Sequence, residues 1–263
     1  MICIIAAGRS GSNALRSILR QENWISCMDE VMGPGAQRTR PGNLTEFLDR
    51  MLRLMPEWKL DATTADVLIE DYFSYLQNLA LDNVPLIDIK DENLGILDWP
   101  GVYQSDIPRT LRRIMNKDYP IIRMTRHNWL AQYASQQLAR QTNEWIRNKK
   151  KTGKNQITKI HIDPERIMDT LGYFEYREKR GRRWLSDYPR TAWLHYEKLF
   201  DGSRLSSSAR TEIERVVGRS LDSKLTVRTQ KIAPKLEELV ENFDEIREIL
   251  KGTPYEKFLE TEN

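Results

Sequence analysis

The chain has 263 residues, of which 40% are hydrophobic and 30% charged, a length and balance that suit one large α/β domain or two small ones. No apolar run approaches the roughly 18 residues of a membrane span, which argues against an integral membrane protein. The net charge of +3 does not indicate a nucleic-acid partner, and only two cysteines argue against a disulfide framework. We therefore expect a cytoplasmic protein with a single domain over residues 1–263.

Predicted strands and helices alternate along the chain. The run MICIIAA predicts a buried first strand, and Leu15, Ile18 and Leu19 recur at helical spacing after a glycine-serine turn. Later strands are predicted at WISCM, VPLIDIK, YPIIRMT and RTAWLHYE, and later helices at NLTEFLDRMLRLM, DATTADVLIEDYFSYLQNLAL, about 128–147 and the apolar stripe of 236–250. Asn43 and Asp61 are the expected N-caps of the first two of these helices. This alternation predicts an α/β fold with a parallel sheet covered on both faces.

Basic residues are concentrated in two short segments, RNKKKTGK (147–154) and REKRGRR (177–183). Such runs are typical of solvated helix and loop surfaces. The functional alternative is a rim that attracts an anionic ligand or acceptor.

The turn after the first strand carries an unusual set of residues. GRSGSNALRSIL, residues 8–19, has the glycines and serines of a phosphate-binding loop. A Walker A loop starting at Gly8 would have glycine, lysine and Ser/Thr at positions 13–15, where this chain has Asn13, Ala14 and Leu15. The missing lysine and hydroxyl argue against ATP or GTP hydrolysis.

The turn nevertheless retains the general chemistry of an anion site. Backbone N–H groups at a helix N-terminus lack intrahelical partners and carry the positive end of the helix dipole. Gly11 permits close approach of a ligand, and Arg9 supplies a permanent cation. Side-chain donors are available from Ser10, Ser12 and Asn13. The alternative is an ordinary tight turn with Ser and Asn as helix caps.

A second candidate pair lies in IIRMTRHNWLAQYAS. Arg126 follows a predicted strand, and Ser135 lies on the small apolar stripe of the next helix, where a buried hydroxyl needs a partner. That partner is either a ligand or the carbonyl oxygen of residue 131.

These segments resemble bacterial sulfotransferases that use 3′-phosphoadenosine 5′-phosphosulfate (PAPS), in particular the carbohydrate and glycolipid group that includes the Nod-factor sulfotransferases. Residues 8–19 are similar to their 5′-phosphosulfate loop, with Arg9 in the place of a family Arg or Lys. The resemblance implies that Arg126 and Ser135 bind the 3′-phosphate, with Arg123 as a less favoured substitute for Arg126. It also implies a P-loop NTPase-like three-layer α/β fold, with a central parallel sheet flanked by helices.

The resemblance runs from about residue 3 to residue 259. LHYEKLF is similar to the family's Tyr-Glu-x-Leu segment, and ENFDEIREILKGTPYEKFL is similar to its C-terminal helix and Gly-Thr-x-Tyr tail. RTQKIAP occupies the place of a basic loop that closes over the cofactor. This implies a cofactor contact from Lys231, and the alternative is a solvated lysine.

Transfer of a sulfuryl group to a hydroxyl requires an acceptor for the hydroxyl proton. Glu30 follows the predicted second strand, beside the glycine loop in a parallel sheet, and in the resembled family a glutamate after this strand is the base. Asp29 is an alternative base, or a neighbour whose charge raises the pKa of Glu30. His127 and His195 are rival bases. Arg9 is expected to stabilise the charge that grows on the leaving phosphate.

The sequence thus predicts a PAPS-dependent sulfotransferase that releases adenosine 3′,5′-bisphosphate (PAP). The acceptor, a hydroxyl of a carbohydrate or glycolipid, is implied by the resemblance alone. No His/Cys cluster has the spacing of metal ligands, so we expect no metal. The alternatives are a nucleotide or small-molecule kinase with magnesium, and a non-catalytic module that binds nucleic acid or anionic lipid through the basic runs.

Overall fold

The computed structural model describes residues 1–33, 39–57, 59, 64–98, 107–143, 145, 147–148, 158–227, 229–230 and 235–260. Its strands are β1 (Ile2–Ala6), β2 (Ile25–Glu30), β3 (Val84–Lys90), β4 (Ile121–Thr125), β5 (Arg147–Asn148), β6 (Thr191–His195), β7 (Phe200–Asp201), β8 (Arg204–Leu205) and β9 (Thr229–Gln230). Its α-helices are α1 (Ser12–Leu19), α2 (Leu44–Leu54), α3 (Ala65–Ala80), α4 (Arg109–Asn116), α5 (Trp129–Thr142), α6 (Ile167–Leu185), α7 (Ser207–Val217), α8 (Leu236–Leu239) and α9 (Phe243–Leu250). Short 3₁₀ helices cover Asp91–Asn93, Tyr196–Lys198 and Glu256–Phe258.

Five strands form one parallel sheet in the order β2-β3-β1-β4-β6. The central strand, β1, pairs with β3 on one side and β4 on the other, so that Ile4 lies opposite both Asp88 and Ile122. The chain runs from β1 to one edge of the sheet and then returns across β1 to the other edge. Ligands of open parallel sheets bind beyond the carboxyl ends of the strands, where such a reversal occurs. The loop after β1 lies at that place.

Helices cover both faces of the sheet, and the side chains of β1 alternate between them. Ile2, Ile4 and Ala6 pack in an apolar cluster with residues of α1 and α7. Cys3 and Ile5 belong to a second cluster, formed with α2, α3, α4 and the end of α6. The predicted α/β architecture of a central parallel sheet flanked by helices is therefore confirmed.

A third apolar cluster joins α5, α6, α8 and α9. It extends to Phe258, whose ring centroid lies 5.1 Å from that of Trp129 at the start of α5. The segment after α9 is thereby anchored near the carboxyl end of β4. None of the helices in the described residues is both long and apolar enough to cross a membrane.

The helix predicted to reach about residue 147 is shorter than expected. α5 ends at Thr142, because Asn143 adopts a left-handed conformation with φ of 53°, which terminates helices. Arg147 instead pairs with Gln230 in the short antiparallel ladder of β5 and β9. The sequence pattern did not reveal this break, since the residues on both sides favour helix.

Two other helix boundaries also bear on the predictions. Asn43 is the N-cap of α2, as expected, and its side chain accepts a hydrogen bond from the amide of Thr45. α3 begins at Ala65, and its predicted cap, Asp61, lies outside the described residues. The C-terminal apolar stripe is divided between α8 and α9, because Val240 adopts an extended conformation between them.

The two basic segments have different environments. Most of 147–154 lies outside the described residues, whereas 177–183 lies on α6. Arg177 is buried, with its guanidinium 4.7 Å from the ring centroid of Phe174 and its Nε 3.6 Å from Asp91. The interpretation of this run as solvated surface is therefore wrong for Arg177, which takes part in an interior ion pair.

Candidate functional site

The loop between β1 and α1 is a tight turn closed by its own serine. Ser10 is buried, and its Oγ donates a hydrogen bond to the carbonyl oxygen of Ala7 at 2.7 Å, so its hydroxyl proton is engaged within the turn. Arg9 and Gly11 adopt positive φ angles of 64° and 92°. Gly11 is the N-cap of α1 and has no side chain to occupy the first-turn amides. Such a helix start suits an anion.

The ring of Tyr196 supplies a second reason for glycine at position 11. A β-carbon on Gly11 would lie 2.4 Å from Cδ2 of Tyr196, so every other residue would collide with this ring. The guanidinium of Arg126 lies 4.9 Å from the centroid of the same ring. Tyr196 therefore connects the glycine loop with Arg126, one of the predicted ligand-binding residues.

A buried cation that the sequence analysis did not identify lies beside the loop. Nζ of Lys90, the last residue of β3, donates to Oγ of Ser12 at 2.7 Å and to the two carboxylate oxygens of Asp88 at 2.9 and 2.8 Å. Asp88 is fully buried and also lies 3.2 Å from Nε of Arg16. Two buried cations thus share one buried carboxylate at the N-terminus of α1.

Asn13 belongs to this ionic network. Its Oδ1 accepts a hydrogen bond from Nη2 of Arg16, which is buried. The sequence did contain a signal: Asp88 and Lys90 are two residues apart in the otherwise apolar VPLIDIK, and residues at this spacing share a face of a strand. Charged residues are rarely buried unless they are paired, so this pattern indicates an ionic cluster.

Glu30 reaches the same cluster from the neighbouring strand. The register between β2 and β3 shifts by a bulge, with Cys27 opposite Leu86 but Glu30 opposite Asp88. A bulge redirects the side chains that follow it. Oε2 of Glu30 lies 3.8 Å from Nζ of Lys90. The strand ends of β2 and β3 and the start of α1 thus bring the carboxylates of Glu30 and Asp88, the ammonium of Lys90 and the hydroxyl of Ser12 together.

The surroundings of Glu30 favour its protonated form. Burial raises the pKa of Glu30, the carboxylate of Asp88 adds to the increase, and the ammonium of Lys90 opposes it. Gly33 provides the necessary space, because a β-carbon there would lie 2.5 Å from Oε1 of Glu30. A carboxylate with a raised pKa is a stronger proton acceptor than an ordinary one once it is ionised.

Asp29, the alternative base, is occupied by arginines. Its carboxylate pairs with Arg16 at 3.0 Å, with Arg40 at 2.9 Å, and with Arg20. Its φ of 63° places it within the bulge of β2. This carboxylate therefore fixes the end of β2, and the like charge that chiefly raises the pKa of Glu30 comes from Asp88 rather than from Asp29.

Arg126 and Ser135, the two residues predicted at the 3′-phosphate, lie on the other side of the loop together with Arg9, which was predicted to act at the 5′-phosphosulfate. Nε of Arg9 donates to Oγ of Ser135 at 3.0 Å, and Nη1 of Arg126 donates to the carbonyl oxygen of Arg9 at 3.4 Å. The partner of the buried Ser135 is thus Arg9, and α5 is tied to the loop. Burial lowers the pKa of Arg9, and the nearby charge of Arg126 adds to the decrease. An anion beside these two guanidiniums would offset their repulsion.

Arg123, the substitute for Arg126, has an interior role. It is almost fully buried, and its Nη2 donates to Oδ2 of Asp91 at 3.0 Å. A β-carbon on Gly181 of α6 would lie 2.9 Å from the same Nη2. The glycine therefore lets α6 pass close to the side chain of Arg123. Arg123 therefore joins β4 to the segment after β3 and to α6.

The two candidate histidines form a pair away from Glu30. Nε2 of His127 and Oγ1 of Thr125 lie 2.6 and 2.8 Å from Nδ1 of His195. Burial, with His127 adding to it, lowers the pKa of His195 to about 4. His195 ends β6 and Glu30 ends β2, the opposite edges of the sheet, which four strand spacings separate by roughly 19 Å. A histidine base would therefore act at a different place.

Two further predictions concern a cation and a metal. Lys231 lies outside the described residues, and in the described parts of the chain no group of three or more His, Cys, Asp or Glu side chains is placed to hold a metal ion. Leu15, at the position of the Walker Ser/Thr, is fully buried in the core. Comparison with models of known protein families gives no match, and comparison with curated proteins gives none either.

Proposed function

We propose that the chain is a PAPS-dependent sulfotransferase with a P-loop NTPase-like fold, acting on a hydroxyl of a carbohydrate or glycolipid. The observation that carries the proposal is the order of groups along the carboxyl edge of the sheet. The guanidiniums of Arg9 and Arg126 stand on one side of the glycine-capped α1, and Glu30 stands beside Lys90 on the other. This order suits a ligand with two separated phosphates whose reacting end faces a base.

The 5′-phosphosulfate end of PAPS suits the glycine loop. Gly11 places no side chain over the amides of Ser12 and Asn13 at the start of α1, and Lys90 holds its ammonium on Ser12 beside them. Negative charge grows on the 5′-phosphate as the group is transferred, and a fixed cation and helix dipole stabilise such charge most where water is excluded. Since Arg9 points to Ser135, we assign this role to Lys90 and the α1 amides in place of Arg9.

The 3′-phosphate suits the cluster of Arg9, Arg126 and Ser135. Two guanidiniums and a hydroxyl offer charge-assisted hydrogen bonds to a dianion. Arg126 is supported by the ring of Tyr196 and by Glu197, 3.9 Å from its Nε. A ligand without the 3′-phosphate makes no charge-assisted hydrogen bond to this cluster, which would make PAP a much better ligand than AMP.

Glu30 then acts as the general base. It accepts the proton of the acceptor hydroxyl while the hydroxyl oxygen bonds to sulfur and the bond from sulfur to the 5′-phosphate oxygen breaks. The raised pKa of Glu30 suits this transfer. By analogy with phosphoryl transfer, the remaining residues contribute by position and electrostatics.

Ligand binding tests the proposal directly. A ligand at 100 times its Kd stabilises the folded state by about 2.7 kcal/mol, which corresponds to roughly 5–10 °C in melting temperature for a domain of this size. We expect PAP to give such a shift without metal, AMP to give far less, and PAPS with a sugar acceptor to release PAP. Stabilisation by ATP only with magnesium would favour the kinase instead. Equal, salt-sensitive shifts from all anions would favour a non-catalytic module.

A further inference from the structure

A cavity of about 340 Å³ opens at the junction of β4, α5, α6 and the C-terminal segment. Among the described residues assigned above to PAPS or to the base, Arg126 alone lines it. Its volume falls in the range of small-molecule sites, roughly 300–1,000 Å³. Apart from Arg126 at its border, which is assigned to the 3′-phosphate, the proposed sulfuryl transfer makes no use of this volume.

The walls of the cavity are held in place. Nδ2 of Asn128 donates to the carbonyl oxygens of Phe258 and Glu260 at 3.0 and 3.3 Å, which ties the C-terminal segment to the start of α5. The rings of Trp129 and Phe258 pack 5.1 Å apart and belong to the lining. The carboxylate of Glu197 accepts hydrogen bonds from the amides of His127 and Asn128, which fixes the turn into α5.

Charged groups of both signs line the cavity. Arg126, Arg182 and Lys257 are the cations, and Glu178 and Glu260 are the acids. Nε of Arg182 donates to Oε1 of Glu178 at 2.9 Å, so a donor group and an acceptor group stand side by side. A plain anion would meet two carboxylates here at close range. A ligand that fits must bring both a negative charge and hydrogen-bond donors.

We propose that this cavity binds a small acidic sugar, a ring of hexose size that bears a carboxylate or a phosphate. The apolar face of the ring packs on Trp129, whose flat side chain has a large apolar surface and is itself backed by Phe258. Ring hydroxyls donate to Glu178, and the anionic group pairs with Arg182 and Lys257. This inference does not depend on the sulfuryl transfer proposed above.

Calorimetry on the full chain tests it, with glucuronate and glucose 6-phosphate as the two acidic probes. There are three comparison ligands: glucose lacks the charge, inorganic phosphate lacks the ring, and phenylalanine lacks the sugar hydroxyls. We expect at least one acidic probe to bind roughly tenfold more tightly than all three, a difference that one charge-assisted hydrogen bond supplies. The better acidic probe tells whether the anion is a carboxylate or a phosphate.

Arg182→Gln is the decisive variant, since this side chain is about half exposed and its loss leaves the core intact. It should weaken the acidic probe roughly tenfold. Arg183→Gln, the adjacent position outside the lining, should not. The proposal would be overturned if inorganic phosphate or glucose bound as tightly as the acidic probes, or if phenylalanine bound more tightly. It would also be overturned if neither acidic probe bound, or if Arg182→Gln left their affinity unchanged. A parallel titration with PAP reports on the glycine loop and the 3′-phosphate cluster, which share only Arg126 with the lining of the cavity, so Arg182→Gln should leave PAP affinity unchanged.

Discussion

Replacement of Glu30 by glutamine tests the proposed base, because the amide keeps the size of the side chain but cannot accept a proton. Loss of a general base typically reduces the rate by about 10²–10⁴-fold, or about 2.7–5.4 kcal/mol in activation free energy. Stability should change in the opposite sense. Because burial raises the pKa of Glu30 in the folded state, ionised Glu30 opposes folding, and any stabilisation by its protonated form is lost as pH rises through the folded pKa. At pH 7 the variant should melt no lower than the wild type.

Glu92→Gln is the matched control. Glu92 is exposed just after β3, and its charge also raises the pKa of Glu30, so this variant removes a similar charge without removing the base. The assay follows initial rates of PAP release from PAPS with a sugar acceptor, beside calorimetric PAP affinity and melting temperature. Glu30→Gln should lose turnover and keep PAP affinity, whereas Glu92→Gln should retain both. Equal losses in the two variants, or near-normal turnover in Glu30→Gln, would refute the assignment.

Three other changes test the loop, the 3′-phosphate cluster and the histidine pair. Gly11→Ala should lower the melting temperature more than Gly202→Ala. Both variants place alanine in a left-handed conformation, at a cost of roughly 1–2 kcal/mol, but only the first brings a β-carbon against the ring of Tyr196. Equal melting temperatures would contradict this collision. Arg126→Gln should weaken PAP roughly ten- to a hundredfold in calorimetry and leave AMP unchanged, and parallel losses would exclude recognition of the 3′-phosphate. Folding lowers the pKa of His195 from 6.5 to about 4, so neutral His195 stabilises the fold above pH 6.5 and this stabilisation is lost as pH falls towards 4. His195→Gln should therefore flatten the dependence of melting temperature on pH between 4 and 6.5. An unchanged dependence would contradict the shift.

The five strands of the sheet were predictable from their composition. The predicted runs overlap β1, β2, β3, β4 and β6, because strands buried on both faces of a parallel sheet read as short continuous apolar segments. The order of the strands was not predictable in this way, since a run of apolar residues does not specify its neighbour. The ends of the helices were harder to predict than the strands, because an end can depend on the conformation of a single residue. The termination of α5 depends on one left-handed residue, Asn143, within a polar stretch that has no proline or glycine to mark it.

Some residues of the candidate site were likewise predictable from the sequence, and others were not. Arg126 and Ser135 were expected together at the 3′-phosphate, and the structure places Arg9, which was expected at the 5′-phosphosulfate, in contact with both. Lys90 was missed because its spacing from Asp88, although it indicates a buried ion pair, belongs to no known ligand-binding motif. Its position next to Ser12 follows only from the pairing of β1 with β3, which aligns Ala6 with Lys90.

The sequence alone does not distinguish between the two neighbouring carboxylates that could act as the base. Asp29 and Glu30 are adjacent carboxylates at the end of the same strand, so composition and spacing give no ground for preferring one. The bulge separates them: it gives Asp29 a left-handed conformation and three arginine partners, and it aligns Glu30 with Asp88, within reach of Lys90. The carboxylate of Asp29 is engaged by the guanidiniums of Arg16, Arg20 and Arg40, which hold it at the bulge. Glu30, whose charged form burial disfavours, gains from accepting a proton, and this asymmetry is the physical basis for assigning it the catalytic role.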